Sequence, residues 1–488
     1  MVPLRDPRHR LCGLGYTQIA GIDFTENYAP VVNDITFGIL LILKMSIEWD
    51  AELIDIETAI LHGDMEELIY MNLPEGLNII EGVEENDDTD CVILDKCIYG
   101  TVQAARQWAK KFKNTLKELN FEVNLIDPCL MTRTNDKGVV TLCIYVDDVL
   151  LIGDKEAIKS AIEDIETKFD IRKEGPLNDY LGCIVKFGDK EASIHQPHSL
   201  KKLENKFKSL TGGLRNSKLP CAPGLNLMRP KENEELIDNK KQHDYRSGVG
   251  MLLYLTKHTR PDIANAVREH SKMMDGATEL HYKSLLRLIK YVLDTKEYTL
   301  KMKPKINGNH LMNIEGYCDS DYAGDKDNRR SITGLVIYLC GAPICWRSKS
   351  QRGVTLSTTE SEYYAMSELC SELLFIKQIL EFLNMSVEYP MVVRVDNIGA
   401  MFLANNSVLS QRTKHISVRH HFIREYVEEG VVKIIFVKSK LNTADIFTKS
   451  LGQELFLRHR NDIMDGRNND KWKSTNQDYM KNRKDVKN

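Results

Sequence analysis

The chain of 488 residues lacks any long uninterrupted apolar run. Its longest, Thr36 to Ile47, is broken by Lys44 and is too short to span a bilayer. Arg5, Arg8 and Arg10 precede no continuous apolar core, so no secretory signal peptide is expected. Paired cysteines are also missing. The count of 11 is odd, and the closest pairs, Cys340 with Cys345 and Cys91 with Cys97, do not have C-x-x-C spacing. Zinc sites and a disulfide framework are therefore disfavoured. Buried reduced thiols in an intracellular protein, cytoplasmic or nuclear, are expected instead, with no membrane partner. A strong charge of one sign is absent too. The formal net charge is −4, so the chain as a whole does not announce a polyanionic partner, although a local basic groove can coexist with an acidic remainder. One such stretch carries Lys201, Lys202, Lys206, Lys208, Arg215 and Lys218; a solvated helix face explains it equally well.

What is present is more specific. Length alone calls for about two to four domains. Four regions suggest themselves: 1–185, mixing strands and helices; 186–311, mostly helical; 312–457, reading strand, hairpin, helix, strand, helices, strand; and 458–488, a polar tail with little to bury and an expectation of disorder. In the first, Ile158, Ile162, Ile165 and Phe169 stripe a helix with Asp154 as its N-cap. In the second, Leu285, Leu286, Ile289, Val292 and Leu293 share a face. In the third, Ser357 or Thr358 caps a long helix striped by Leu369, Leu373, Ile376, Leu380 and Leu383. Gly430 fits the C′ position of a later helix. The fold class is α/β in the broad sense, an α+β multidomain chain.

Two groups of acids fall at strand ends and helix starts. Tyr145-Val146-Asp147-Asp148 lies between two runs rich in β-branched residues, Val139 to Ile144 and Val149 to Ile152, which read as the strands of a hairpin. Unpaired carboxylates beside a core are costly, because desolvation disfavours their charged form, and a divalent cation offsets that cost. Asp55, in the strand context Leu53-Ile54-Asp55-Ile56, can join them. Acids from two adjacent strands can hold two cations about 3.5–4 Å apart for phosphoryl transfer. A solvated Asp-Asp turn is the plain alternative. The second group is Asp319, Glu362, Asp396 and Asp445, which can converge at one end of a small mixed sheet, where mutual repulsion calls for cations. Asp321, Asp325, Glu360 and Glu368 compete for those roles.

The chain resembles the reverse transcriptase and ribonuclease H portion of copia-type retrotransposon Pol polyproteins, from about Arg8 to about Leu457. The resemblance is carried, in family order, by "GYTQIAGIDFTENYAPV" at Gly15, "LIDIETAILHGDMEELIYMNLPEG" at Leu53, "CIYGTVQAARQW" at Cys97, "YVDDVLLIG" at Tyr145 and "YLGCIV" at Tyr180. It continues through "YLTKHTRPDIANAV" at Tyr254, "GYCDSDYAGD" at Gly316, "STTESEYYA" at Ser357, "VDNIGA" at Val395, "RTKHISVRHHFIRE" at Arg412 and "ADIFTKSL" at Ala444. It implies a right-hand polymerase with palm, fingers and a helical thumb or connection, followed by a ribonuclease H-like mixed-sheet domain. It implies RNA-directed DNA polymerase and hybrid ribonuclease activity, with Mg²⁺ or Mn²⁺ in both centres and deoxynucleoside triphosphates as substrates. RNA template, DNA primer and RNA–DNA hybrid are the implied partners; whether the chain forms a homodimer is left open.

The resemblance also implies roles. Asp55, Asp147 and Asp148 match the polymerase metal ligands, with the Ile56 carbonyl on the same cation. Tyr145 would lie beside the primer terminus, Gln103 and Arg10 would contact the incoming nucleotide, and Leu181-Gly182 would grip the primer strand. Asp319, Glu362, Asp396 and Asp445 match the nuclease acids; His415 reads as a structural histidine. Several positions depart from the family. Ile60 stands where an aromatic normally excludes ribonucleotides, which implies weak sugar discrimination. Val102-Gln103-Ala104-Ala105 lacks the usual Lys and Pro, and Leu14, Ser417 and Tyr322 replace a basic residue, an Asp and a Trp. The chain also begins late in the fingers and carries no protease or integrase segment. These departures support the alternative of a decayed or truncated copy that binds nucleic acid without polymerising.

Overall fold

The computed structural model describes residues 11–73, 91–305, 311–405 and 417–465. The chain divides into two compact units. One is Trp49–Leu177 with the chain up to Phe37; the other runs from Asn178 onward and includes Gly38–Glu48. The apolar run of the N-terminal region forms α1 (Asp34–Ile47), which contributes residues to both units. No described helix is long and apolar enough to cross a membrane. The cysteines are free, and all but Cys12 and Cys91 are buried.

The first unit is built on β1 (Asp50–Ile56), β2 (Tyr70–Asn72), β3 (Cys91–Ile93), β4 (Glu122–Val123), β5 (Leu130–Asn135), β6 (Gly138–Tyr145), β7 (Asp148–Gly153) and β8 (Ile171–Pro176). Its helices are α2 (Ala104–Glu118) and α3 (Lys155–Glu166). β2 and β3 pair with each other, and the rest form a six-stranded sheet in the order β4-β5-β6-β7-β1-β8. Val140, Leu142, Val149 and Leu151 share a core with Trp108, Phe112 and Leu116 of α2 and Ile158, Ile162 and Ile165 of α3. Their neighbours Thr141, Cys143, Leu150 and Ile152 are equally buried. Burial of both faces is why these strands read as continuous apolar runs rather than alternating ones. Asp154 stands at the N-cap of α3, but its side chain does not cap the helix. Its Oδ2 instead accepts the Val139 N–H at 2.7 Å. The backbone donor at the start of β6 competes for the carboxylate and wins.

The second unit opens with β9 (Asp179–Tyr180), β10 (Cys183–Phe187) and β11 (Ala192–His195), followed by α4 (Pro197–Thr211), α5 (Asn239–His258), α6 (Ala264–Ser271) and α7 (Glu279–Asp294). β12 (Leu300–Met302) then completes a sheet in the order β12-β11-β10-β9. Of the expected stripe, Leu285, Leu286, Ile289 and Val292 are buried and Leu293 is half-buried. The chain continues with β13 (Ile314–Asp321), β14 (Ile332–Leu339), β15 (Ala342–Ser350), α8 (Thr358–Phe382), β16 (Met391–Val395), α9 (Ile398–Asn405), α10 (Ser417–Glu428), β17 (Val432–Phe436) and α11 (Gln453–Met464). Its sheet runs β15-β14-β13-β16-β17. β13, β16 and β17 are mutually parallel, and β14 and β15 are antiparallel additions.

Local chemistry sets the ends of these elements. Ser357 caps α8 by accepting the Glu360 N–H at 3.1 Å. Cys340 and Gly341, both at positive φ, make the tight turn between β14 and β15, as a two-residue hairpin of the right twist requires. Gly430, at φ +73°, closes α10, and the Val431 N–H returns to the Tyr426 carbonyl at 2.9 Å, a Schellman ending.

One expectation is corrected. The polar tail does not start at 458, because α11 extends to Met464 and buries Phe456, His459, Ile463 and Met464. These recur at helical spacing, but Arg458, Arg460, Asn461 and Asp462 between them hide the stripe. Across the border expected near residue 311, one apolar cluster joins Leu203, Tyr245 and Tyr291 of the helices to Tyr317, Val336 and Tyr338 of the sheet and to Phe456 and Ile463.

Candidate functional site

In the first unit, antiparallel pairing puts Asp55 of β1 directly opposite Asp148 of β7. The next pair, Ile56 with Asp147, is hydrogen-bonded, with the Ile56 N–H donating to the Asp147 carbonyl at 2.9 Å. Asp55 and Asp148 are thus a non-hydrogen-bonded pair, the kind in which facing side chains come closest. In an extended residue the N–H and C=O point to the same side, so the Ile56 carbonyl also faces the turn. Tyr145 pairs with Asp148 across β6 and β7, leaving Val146 and Asp147 as a two-residue turn. Val146 has φ +58°, a left-handed conformation that costs a β-branched residue about 1–2 kcal/mol. Its carbonyl accepts the indole N–H of Trp108 at 2.7 Å. Trp108 is itself stacked on Phe112 with ring centroids 4.9 Å apart. The strained turn carrying Asp147 is therefore held from both sides, by an aromatic of α2 and by the backbone of β1.

Burial pushes the Asp148 carboxyl up to about 6, and Asp147 and Asp55 add to the rise. The Asp55 carboxyl is raised as well, first by burial and then by Asp147, while Arg172 opposes both. Arg172 of β8 lies 3.3 Å from Asp55 Oδ2 and also pairs with Glu174 at 2.7 Å. Among the described residues these three acids do not form a group as tight as the C-terminal one.

The residues expected around this hairpin are placed as follows. Tyr145, 37% exposed, ends β6 beside Asp148. Ile60 is 9% exposed and packs into the core under the hairpin. Gln103 is fully buried. Its Nε2 donates to the Asp23 carbonyl at 3.1 Å and to Glu67 at 3.4 Å, and its Oε1 accepts from Gln18 at 3.0 Å. Arg10 and His415 lie outside the described residues. In the second unit, Leu181 and Gly182 form the positive-φ turn between β9 and β10, and the Tyr254 hydroxyl donates to the Leu181 carbonyl at 2.7 Å. Within the basic stretch, Lys206 pairs with Asp244 at 3.1 Å.

The second unit also brings Asp319, Glu362 and Asp396 together, with oxygens all within 4.8 Å of one another. Asp319 comes from β13, Glu362 from the first turns of α8, and Asp396 from just beyond β16. Glu362 Oε1 accepts the Ser320 N–H at 3.2 Å. Its Oε2 is buried without a hydrogen-bond partner. A buried orphan oxygen is costly, and here it lies in an all-oxygen cluster of the kind that suits a hard divalent cation. Burial raises the Glu362 carboxyl, and Asp319 and Asp396 raise it further. Asp396 is raised by burial and by Asp319.

Asp445 lies beside that cluster, joined to Asp319 through Lys449, on a 3₁₀ turn, Thr443–Phe447, that packs on β14. The approach requires a bare backbone at Gly334, the cross-strand partner of Asp319. A Cβ there would come within 2.8 Å of the Ala444 carbonyl and 2.7 Å of Thr448 Cγ2. The turn also delivers Thr448, which donates to Asp319 Oδ2, and Lys449. The Lys449 ammonium lies 2.7 Å from Asp445 Oδ1, 3.1 Å from Asp319 Oδ2 and 3.2 Å from its Oδ1. Burial raises the Asp445 carboxyl, as does Asp319, while Lys449 lowers it; the net shift is upward. Of the competing acids, Glu360 is spent on the Leu356 N–H at 2.6 Å and Asp325 on the Asp327 N–H at 3.0 Å. Sequence reasoning missed Arg172, Trp108, Gly334, Thr448 and Lys449; only Lys449, one helical turn after Asp445, gave a spacing signal.

Residues 5–218 match the family model described as reverse transcriptase (RNA-dependent DNA polymerase). The Pol polyprotein of transposon TNT 1-94 from Nicotiana tabacum is 35% identical over 92% of this chain, and that of transposon RE1 from Arabidopsis thaliana is 31% identical over 92%. Over 92% of its length the chain is similar to these Pol polyproteins of copia-type retrotransposons. It spans about a third of those relatives, 33% and 30% of their lengths. A solved foamy viral protease-reverse transcriptase with dsDNA aligns over 80% of this chain and 68% of its own, at 11% identity and a TM-score of 0.19, too low to equate the two architectures.

Proposed function

We propose that the chain is an RNA-directed DNA polymerase joined to a ribonuclease that cuts the RNA of RNA–DNA hybrids. The carrying observation is the facing pair Asp55 and Asp148 beside a turn that holds Asp147 in a strained but doubly anchored conformation. We read the first unit as palm and fingers, the helices and small sheet to about residue 311 as thumb and connection, and the remainder as a ribonuclease H-like domain. Asp55, Asp147, Asp148 and the Ile56 carbonyl would hold Mg²⁺ or Mn²⁺ in the palm; Asp319, Glu362, Asp396 and Asp445 would hold it in the nuclease. A divalent cation bound there would lower the pKa of an attacking hydroxyl or water and stabilise the leaving oxygen.

The protein's own groups supply position. Trp108 and the Ile56 N–H fix the hairpin turn and so the direction of Asp147 and Asp148. Arg172 holds one Asp55 oxygen. Tyr145, exposed next to Asp148, offers a surface for the primer terminus. Sequence information would come from base pairing of deoxynucleoside triphosphates with the RNA template, so the protein mainly grips backbone and shape, and salt weakens that grip. In the nuclease, the 2′-hydroxyls of the RNA strand select the hybrid.

The test is primer extension on an RNA template with Mg²⁺, with Asp147→Asn as control, and hybrid cleavage with Asp396→Asn as control. Extension lost only in the first variant and cleavage lost only in the second is the expected result. Activities that survive both substitutions contradict the proposal.

A further inference from the structure

The C-terminal cluster is unevenly charged. On one side Glu362 Oε2 is buried and has no hydrogen-bond partner. On the other, both oxygens of Asp319 and one of Asp445 are in contact with the Lys449 ammonium, and Thr448 adds a donor to Asp319. A cationic side chain thus sits between two of the acids to which the nuclease reading assigns divalent cations. An ammonium and a divalent ion cannot share those oxygens without strong mutual repulsion. The Lys449 side chain is 38% exposed, so its flexible stem can carry the charge out to water. The Asp319, Glu362 and Asp396 oxygens, within 4.8 Å of one another, form a ligand set that does not include Asp445.

We propose that Lys449 is a built-in counter-cation bridging Asp319 and Asp445, so that the free protein takes one divalent cation at Asp319–Glu362–Asp396 and a second only when Lys449 swings away. This rests on the reading of the cluster as a cation-dependent nuclease centre. Lys449 is then a positioning residue. It keeps Asp445 and the 3₁₀ turn docked when no second cation is bound, and it sets the threshold for assembling the complete centre. Delivery of the second cation would be coupled to substrate, because an incoming phosphate offers Lys449 an alternative anionic partner and adds ligands for the metal.

The test counts bound Mn²⁺ by electron paramagnetic resonance on the full chain without nucleic acid. An Asp147→Asn, Asp148→Asn background removes the palm site from the count. With Lys449 present, one Mn²⁺ that is lost in Asp396→Asn is expected. Lys449→Met should bind a second Mn²⁺ at least about tenfold more tightly than the parent, while Lys449→Arg, which keeps the charge, should not. Equal stoichiometry and affinity in parent and Lys449→Met overturns the proposal. The unsubstituted residue tests it even if Lys449→Met does not fold: two tightly bound cations in the parent, both sensitive to Asp396→Asn, overturn the role of Lys449 and leave the nuclease reading standing. No Asp396-dependent Mn²⁺ in any variant overturns both.

Discussion

The two acidic centres gather the same side chains by different means. In the hairpin, Asp55 and Asp148 face each other across neighbouring strands, are partly open to water, and meet one cation, Arg172, from the adjoining strand. In the C-terminal cluster, Asp319, Glu362 and Asp445 are buried, and the compensating charge, Lys449, arrives on the same short turn as Asp445. Solvent can help tolerate the first arrangement. The second must carry its own cation, because the cost of a buried uncompensated charge is far greater. The difference shows why one centre could be read from a four-residue motif and the other depends on tertiary convergence.

The largest expected effect would separate the centres outright. Since a bound cation contributes several kcal/mol of charge stabilisation, Asp396→Asn should lower hybrid cleavage about a thousandfold or more and leave primer extension within about twofold. Asp148→Asn should do the reverse, as read by the two assays side by side. Next in size is Gly334→Ala. The added methyl meets backbone in the Asp445 turn, and overpacking of this kind costs about 1–3 kcal/mol. Thermal unfolding should show that loss, with cleavage falling and extension retained. Trp108→Phe keeps an aromatic against Phe112 but removes the donor to Val146. An unmet carbonyl costs about 1–3 kcal/mol, and extension, not cleavage, should drop.

The smallest effect is a pH dependence. Asp148 titrates near 6 in the folded chain against an ordinary value of 3.8. Between these values the folded state holds more protons than the unfolded one, so this group's contribution to stability falls as pH rises through that window. In divalent-free buffer, Asp148→Asn should therefore gain melting temperature over the parent as pH goes from 4 to 6, and the gain should then level off. A gain that shrinks over that range would break the comparison, because it would mean Asp148 is stabilised as an anion without metal.

Much of the local structure was legible because it depends on neighbours in sequence. Ser357 capping α8 follows from its hydroxyl accepting the Glu360 N–H, and Gly430 after α10 from a positive-φ conformation that few residues other than glycine adopt. The apolar runs around Asp147 and Asp148 marked buried strands. What could not be read depends on distant partners. Asp154 looked like a helix cap, but the Val139 N–H, brought near by the hairpin, takes its carboxylate. Gln103, which the resemblance implies as a nucleotide contact, is held by Asp23, Glu67 and Gln18, partners distant in sequence. The stripe of α11 was diluted by charged residues, and Gly334 looked unremarkable until a turn more than a hundred residues away was found resting on it.

The most direct measurement of the central claim is DNA synthesis by the purified chain on a primed RNA template with Mg²⁺ and deoxynucleoside triphosphates. The account predicts templated extension by the parent, loss of extension in Asp148→Asn, and undiminished extension in Asp396→Asn. Failure of the parent to extend a primer, or equal extension by Asp148→Asn, would contradict it.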